Sequence, residues 1–123
     1  MEKFGVIVQA RSGSKRFPNK IFHKIGKYSI LDHVIRRIKK TKFKKKIIIA
    51  SSIKTKRKKI ISIAKKNKCM YFFGSEKDVL KRFYNTAKKF DLKFIMRISG
   101  DSPFIDPNII QKAYLIFKKK KFD

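Results

Sequence analysis

Residues 4–20 read FGVIVQARSGSKRFPNK, an apolar segment that runs directly into a polar loop. The first part, residues 4–9, has the length and composition of a short buried strand. The loop contains Gly13 and Pro18, which disfavour a helix at this point. The stretch therefore predicts the first strand of a domain and, immediately after it, an irregular loop rich in cations.

Strands and helices alternate along the rest of the chain. Further strands are predicted at residues 46–50, 69–73 and 93–98, and the first of these is apolar on both faces, as the interior of a parallel sheet requires. A helical pattern follows each of the four strands. The alternation predicts an α/β fold, Rossmann-like with three layers (α/β/α), in which the sheet is mostly parallel and the crossovers are right-handed.

The helices are bounded by recognisable start signals. Ser29, Ser75 and Asp106 are predicted N-cap residues, and Pro107 suits the first helical position. For the helix after Ser75, the predicted buried positions are Val79, Leu80, Phe83, Tyr84, Ala87 and Phe90. For the last helix, they are Ile109, Ile110, Ala113, Tyr114 and Phe117.

The polar segments that follow the strands hold most of the glycine and proline. They are residues 9–20, 50–52, 74–76 and 99–103, whereas the opposite connections are mostly lysine. Ligands of parallel sheets bind beyond the carboxyl ends of the strands. The sequence therefore predicts one binding site at this edge of the sheet.

The loop after the first strand has the composition of a polyphosphate site. Gly13 and the neighbouring serines let backbone N–H groups approach phosphate closely, and Arg11, Lys15, Arg16 and Lys20 supply cationic donors. The spacing differs from that of a Walker loop and from G-x-G-x-x-G.

The net charge of +27 attracts any polyanion, so nucleic-acid binding is an alternative interpretation. The cations are 28 lysines and 7 arginines, and the lysines are scattered over almost every segment. Nucleic-acid readers use more arginine, because its planar group pairs with phosphates and bases. The scatter favours a general bias towards lysine, with nucleic acid bound only by nonspecific charge attraction.

The length of 123 residues suits one domain with one core. A single cysteine, Cys69, excludes a disulfide within the chain. The sequence shows neither a signal peptide nor an apolar run long enough to span a membrane. We expect a cytoplasmic protein without membrane contact.

Four motifs in order resemble the cytidylyltransferase family, which includes CMP-KDO synthetase, acylneuraminate cytidylyltransferase and the spore coat polysaccharide biosynthesis protein F type. The last type is the most similar. The motifs are QARSGSKRFPNK (residues 9–20), IASS (49–52), GSEKDVLKR (74–82) and RISGDSPFIDP (97–107). The resemblance implies a fold of the nucleotide-diphospho-sugar transferase type. It also implies transfer of CMP from CTP to a sugar acid with release of pyrophosphate, for surface polysaccharide biosynthesis.

The resemblance also implies roles for individual residues. Arg11 and Lys20 hold the CTP phosphates, with Ser14 and Arg16 assisting, and Asp101 binds Mg²⁺. Arg11, Lys20 and Asp101 are thereby the implied catalytic residues. Taken alone, the two cations are as common on a solvated surface, and Asp101 is as common in a turn.

The implied pocket for cytosine and ribose contains the backbone at Ala10, together with Ser75 and Arg82. The resemblance extends over residues 1–123 as the N-terminal, nucleotide-binding part of the family domain, truncated to about four strands. The full-length family also implies a homodimer.

We accordingly expect CTP binding without full transfer activity, and an exposed edge on the strand at residues 93–98. The alternatives are the basic nucleic-acid-binding protein, a nucleotidyltransferase for another nucleotide, and a non-catalytic remnant of a sugar nucleotidyltransferase.

Overall fold

The computed structural model describes residues 3–11, 19–52 and 56–120. The strands are β1 (Phe4–Ala10), β2 (Lys24–Ile25), β3 (Tyr28–Ser29), β4 (Lys46–Ser52), β5 (Met70–Gly74) and β6 (Phe94–Ser99). The helices are α1 (Ile30–Lys39), α2 (Arg57–Lys66), α3 (Val79–Lys89) and α4 (Pro107–Lys120), and a 3-10 helix covers Lys20–Phe22.

The main sheet contains four parallel strands in the order β5-β4-β1-β6. Val6 of β1 lies between Ile47 of β4 and Met96 of β6, which fixes the register at the centre. The predicted α/β fold with four parallel strands is confirmed. The antiparallel pair of β2 and β3, which turns at Gly26 with a φ of 68°, was not predicted.

Helices cover the two faces of the sheet unequally. The larger core lies against α1, α2 and α4, and its strand residues include Val6, Val8 and Ile49, all fully buried. The smaller core lies under α3, where Phe83 packs on Ile7 and Ala50. One face of the sheet is therefore covered by three helices and the other by one described helix.

A buried hydrogen-bond network holds the start of α1. The predicted N-cap Ser29 is confirmed: its hydroxyl accepts from the backbone N–H of Asp32 at 3.1 Å, and Asp32 Oδ2 accepts from the N–H of Ser29 at 3.1 Å. Asp32 also accepts from Asn67 Nδ2 at 2.7 Å and from Lys66 Nζ at 3.1 Å. The network joins α1 to the end of α2.

Asp32 is ionised more readily than an ordinary aspartate. Burial raises the pKa of this carboxyl, but the hydrogen bonds from Asn67, Ser29 and Lys66 outweigh burial, so its pKa lies below the ordinary value of 3.8.

The start of α3 differs from the prediction. Asp78, not Ser75, is the N-cap: its side chain accepts from the N–H of Lys81 at 2.9 Å. Ser75 lies one turn earlier, where its hydroxyl accepts from the N–H of Asp78 at 3.1 Å. Both residue types favour caps, so the choice depends on where the chain leaves the extended conformation. At α4, the prediction holds, because the carbonyl of Asp106 accepts the first helical N–H groups.

Lysines bind the carbonyl groups at the ends of three helices. Lys39 Nζ donates to the carbonyl of Asn67 after α2, and Lys46 Nζ donates to that of Phe90 after α3 at 3.0 Å. Lys45 Nζ donates to two carbonyls that follow α1, at 3.2 and 3.0 Å, and burial lowers the pKa of this ammonium. These lysines neutralise the negative ends of the helix dipoles.

The predicted buried faces of α3 and α4 are only partly buried. Phe83 and Ile110 are buried as expected, but Leu80, Tyr84 and Ile109 are exposed. All three lie beside β6, which is the last strand of the sheet. The exposed edge expected for this strand is confirmed, and no described element covers the neighbouring side chains.

Candidate functional site

The four parallel strands end at the same edge of the sheet. The predicted site residues follow these ends: Arg11 comes after β1, Ser75 after β5, and Asp101 two residues after β6. The predicted placement of the polar segments at one edge is therefore confirmed for the residues that the structure describes.

A cleft of about 220 Å³ opens at this edge, between the ends of β1 and β6. It is lined by Gln9, Arg11, Ile21, Ser99 and Asp101. The cleft brings together one predicted phosphate ligand and the predicted metal ligand. An arginine and a carboxylate in one cleft suit a phosphate ligand and a cation that bridges it to the protein.

The Asp101 carboxylate is held by a tight turn. The N–H of Gly100 donates to the carbonyl of Gln9 at 2.7 Å. A Cβ at position 100 would lie 2.7 Å from that same oxygen, so only glycine allows the approach. Ser99 Oγ then donates to Asp101 Oδ1 at 2.5 Å, which orients the exposed carboxylate.

Lys20 begins the 3-10 helix next to the cleft and is half-buried. Its neighbour Ile21 is buried and lines the cleft wall, and Asn19 before it has a left-handed conformation with a φ of 60°. The backbone therefore places Lys20 close to the predicted phosphate site. The predicted ligands Ser14 and Arg16 lie outside the described residues.

Arg82 is the most unusual residue at this edge. Its side chain is buried, with 1% of its surface exposed, and one terminal nitrogen, Nη1, donates to the carbonyl of Ser75 at 2.9 Å. Nε and Nη2 are buried and have no hydrogen-bond partner among the described residues. Each buried donor without a partner costs about 1–3 kcal/mol.

Two further features act on Arg82. Burial and the nearby positive charge of Arg11 lower the pKa of its guanidinium. Gly74 makes room for its stem, because a Cβ at that position would lie 3.0 Å from Arg82 Cγ. The fold thus places a cation with two unused donors beside a second cation.

Ala10 is fully buried at the end of β1, and its carbonyl accepts from Ser51 Oγ at 2.6 Å. Sequence reasoning assigned no role to Gln9, Ile21 and Ser99, although they line the cleft. Ser99 lies within a quoted motif and could have been found there; Ile21 gave no chemical signal.

Within the described ranges, no cluster of three metal-binding side chains is present, and no helix has both the length and the apolar character to cross a membrane. Asp101 is thus a carboxylate whose further metal ligands would come from outside these side chains.

The chain belongs to the cytidylyltransferase family, whose sequence model matches residues 5–123. It is 41% identical over 117 residues to the uncharacterized protein MJ1063 of Methanocaldococcus jannaschii, covering 95% of this chain and 48% of that protein. It is 33% identical over 108 residues to the spore coat polysaccharide biosynthesis protein SpsF of Bacillus subtilis, covering 85% of this chain and 45% of SpsF.

Solved structures agree with this assignment. A cytidylyltransferase from Leptospira borgpetersenii superposes with a TM-score of 0.91 at 33% identity, covering 98% of this chain and 51% of that one. A CMP:2-keto-3-deoxy-manno-octonic acid synthetase complexed with CTP shares the fold, with a TM-score of 0.82 at 17% identity over 96% of this chain and 48% of that one. The chain spans about half the length of the relatives it matches.

Proposed function

We propose that the chain binds CTP at the carboxyl edge of its sheet. It forms the nucleotide-binding part of an enzyme that transfers CMP to a sugar acid and releases pyrophosphate. The observation that carries this proposal is the buried Arg82, with two unused donors facing no described partner. Family membership supplies the reaction class.

The unused donors of Arg82 call for a ligand with paired acceptors. Nε and Nη2 of a guanidinium lie side by side and donate in parallel to two neighbouring acceptors. Cytosine presents such a pair in its O2 and N3 atoms, whereas uracil carries a hydrogen on N3. Arg82 therefore favours cytosine over uracil, and the Ser75 carbonyl that holds Nη1 sets the direction of the group.

The phosphates would lie towards Arg11 and Lys20. A polyphosphate between Arg11 and Arg82 relieves the repulsion that lowers the Arg82 pKa in the free protein. Lys20 adds a cation from the start of the 3-10 helix. Ser14 and Arg16 complete the proposed phosphate site from the loop between the described ranges.

Asp101 fits a role as a Mg²⁺ ligand, because its exposed carboxylate lines the cleft opposite Arg11 and is oriented by Ser99. Mg²⁺ prefers one or two carboxylates together with substrate phosphates and water. Bound there, the ion would polarise the α-phosphate.

In the proposed reaction, the anomeric hydroxyl of the sugar attacks the α-phosphorus in line. The new bond joins that oxygen to phosphorus, the bond to the β-phosphate bridging oxygen breaks, and pyrophosphate leaves. Arg11 and Lys20 would neutralise the charge that develops on the phosphate oxygens. SpsF is named for spore coat polysaccharide biosynthesis, and we propose surface polysaccharide as the destination of the activated sugar.

Thermal denaturation with CTP, UTP, GTP and ATP, each with Mg²⁺, tests the binding proposal. We expect CTP alone to raise the melting temperature by a few degrees, and expect Arg82→Met to abolish that rise. Equal rises from all four nucleotides would contradict the proposal and indicate attraction to the +27 charge alone. Salt-steep binding to DNA or RNA without a CTP response would favour the nucleic-acid alternative.

A further inference from the structure

The side of the molecule beyond β6 is unfinished in all three layers. β6 is the last strand of the sheet and pairs with β1 alone among the described strands. Apolar side chains stand exposed around its free edge. They are Leu80 (72% exposed), Tyr84 (65%), Ile95 (40%), Ile109 (64%) and Ile116 (57%), which with the edge of β6 form what we call the β6 surface.

The α4 layer contributes Ile109 and Ile116. On the opposite flank of α4, Gln111 Oε1 accepts from the N–H of Lys42, just beyond α1. With about 100° between successive residues, Ile109 and Ile116 lie roughly 140–160° around the helix from Gln111. These isoleucines therefore face away from α1, past the edge of β6.

The α3 layer and the strand itself contribute the rest. Lys89 stacks over Phe72 of β5, so that flank of α3 faces β5. Leu80 and Tyr84 occupy the other flank, towards β6. Ile95 points to the same face of the sheet as α3, because its neighbours Phe94 and Met96 pack into the opposite core.

The opposite edge of the sheet is protected in the usual way. At β5, Arg57 covers the ring of Phe73 at 4.5 Å, and Lys89 covers that of Phe72 at 5.8 Å. Cationic side chains over an edge strand discourage pairing with another chain. The exposed residues of the β6 surface are instead aliphatic or aromatic, which marks an interaction site when they are contiguous.

The occupant follows from the comparison with the family and from the charge. The Leptospira cytidylyltransferase matches 98% of this chain with 51% of its own length, so half of that protein packs outside the matched part. A second copy of this chain is disfavoured as the occupant, because two molecules of charge +27 repel each other.

We infer that the β6 surface binds a polypeptide that carries the other half of the cytidylyltransferase fold. This polypeptide adds a strand to the free edge of β6 and buries Ile95, Tyr84 and Ile116 under its own apolar side chains. An acidic surface around its apolar contact would match the charge of this chain. The assignment depends on the fold and not on nucleotide binding, so a failure to bind CTP would leave it standing.

Binding to the unmatched half of the Leptospira cytidylyltransferase, produced as a separate polypeptide, tests the assignment. We expect the two to co-purify when co-expressed, and expect the backbone amides of β6 to exchange hydrogen more slowly in the complex while those of β5 are unchanged. Ile116→Lys should weaken binding roughly tenfold or more, since one buried aliphatic side chain is lost and a charge is added.

Leu115→Lys is the matched control, because Leu115 is similarly exposed (54%) but lies on the solvent side of α4. It should leave the affinity within about twofold. Absence of a complex, protection at β5 instead of β6, or equal effects of the two substitutions would overturn the assignment. Self-association of the chain through β6 would also overturn it, in favour of a second copy. Circular dichroism of each variant establishes that the fold is intact.

Discussion

The guanidinium of Arg82 is buried within electrostatic reach of Arg11, and both its burial and that neighbouring charge lower its pKa. Two cations at one strand edge weaken the free protein, since each disfavours the charged form of the other. Such an arrangement is common at functional sites, where a ligand supplies the missing counter-charge. For this chain, it separates the demands of stability from those of binding.

Arg82→Met should show this separation directly. The substitution removes two unpaired buried donors and the repulsion from Arg11, at the loss of one hydrogen bond to Ser75. We expect the free energy of unfolding to stay equal or rise by roughly 1 kcal/mol, while stabilisation by CTP disappears. Urea denaturation with and without CTP measures both effects. A strong loss of stability without ligand would show that Arg82 holds the fold instead.

Asp101→Asn should remove the Mg²⁺-dependent part of CTP binding. The amide keeps the shape of the side chain but loses the charge that attracts the cation. We expect the affinity for CTP with Mg²⁺ to fall about tenfold, measured by isothermal titration calorimetry. Asp91→Asn is the matched control, because Asp91 pairs with Lys3 beside the start of β6, at the opposite end of the strand. If both substitutions reduced the affinity equally, the effect would be one of overall charge.

Gly100→Ala should damage the cleft more than an ordinary glycine substitution. The added methyl group would meet the backbone oxygen of Gln9 at 2.7 Å, and neither group has a flexible end that could move aside. We expect a loss of roughly 2 kcal/mol or more in stability, together with weaker CTP binding.

Gly26→Ala provides the comparison for that substitution. Its Cβ would meet nothing within 4 Å, and only the positive φ of 68° opposes it. Its cost should be about 1 kcal/mol, with CTP binding unchanged. Chemical denaturation of the two variants gives the difference, and a smaller loss for Gly100→Ala would contradict the close approach.

Asp32 should make stability depend on pH in the acidic range. Its pKa in the folded protein lies below the ordinary 3.8, so the folded state binds fewer protons than the unfolded state there. Its contribution is present in full well above pH 3.8 and is lost as pH falls through the lower folded value. In Asp32→Asn, the decline in unfolding free energy between about pH 5 and pH 2 should be shallower, as urea titrations would record. An unchanged slope would contradict this role.

Much of the fold could be predicted from local sequence. The four strands of the main sheet, the N-cap Ser29 and the common edge of the polar segments all follow from periodicity and composition. The hairpin of β2 and β3 could not be predicted, because strands of two residues carry no periodic signal.

The exposure of Leu80, Tyr84 and Ile109 could not be predicted for a different reason. An amphipathic pattern shows which residues suit burial, but the presence of a covering element is a property of the tertiary structure. Likewise, the sequence around Arg82 suggested a nucleotide contact by resemblance, whereas its burial and its two unpaired donors became apparent only in the folded chain.

The lysines that bind the carbonyls at the helix ends have a consequence for protein engineering. A protein of charge +27 is an obvious subject for replacing lysines, to reduce adhesion to nucleic acid or to obtain crystals. Lys39, Lys45 and Lys46 are poor choices, since each donates to main-chain oxygens that would lose their donor. Exposed lysines elsewhere on α3 and α4, such as Lys81 and Lys112, are the positions at which charge is most safely removed.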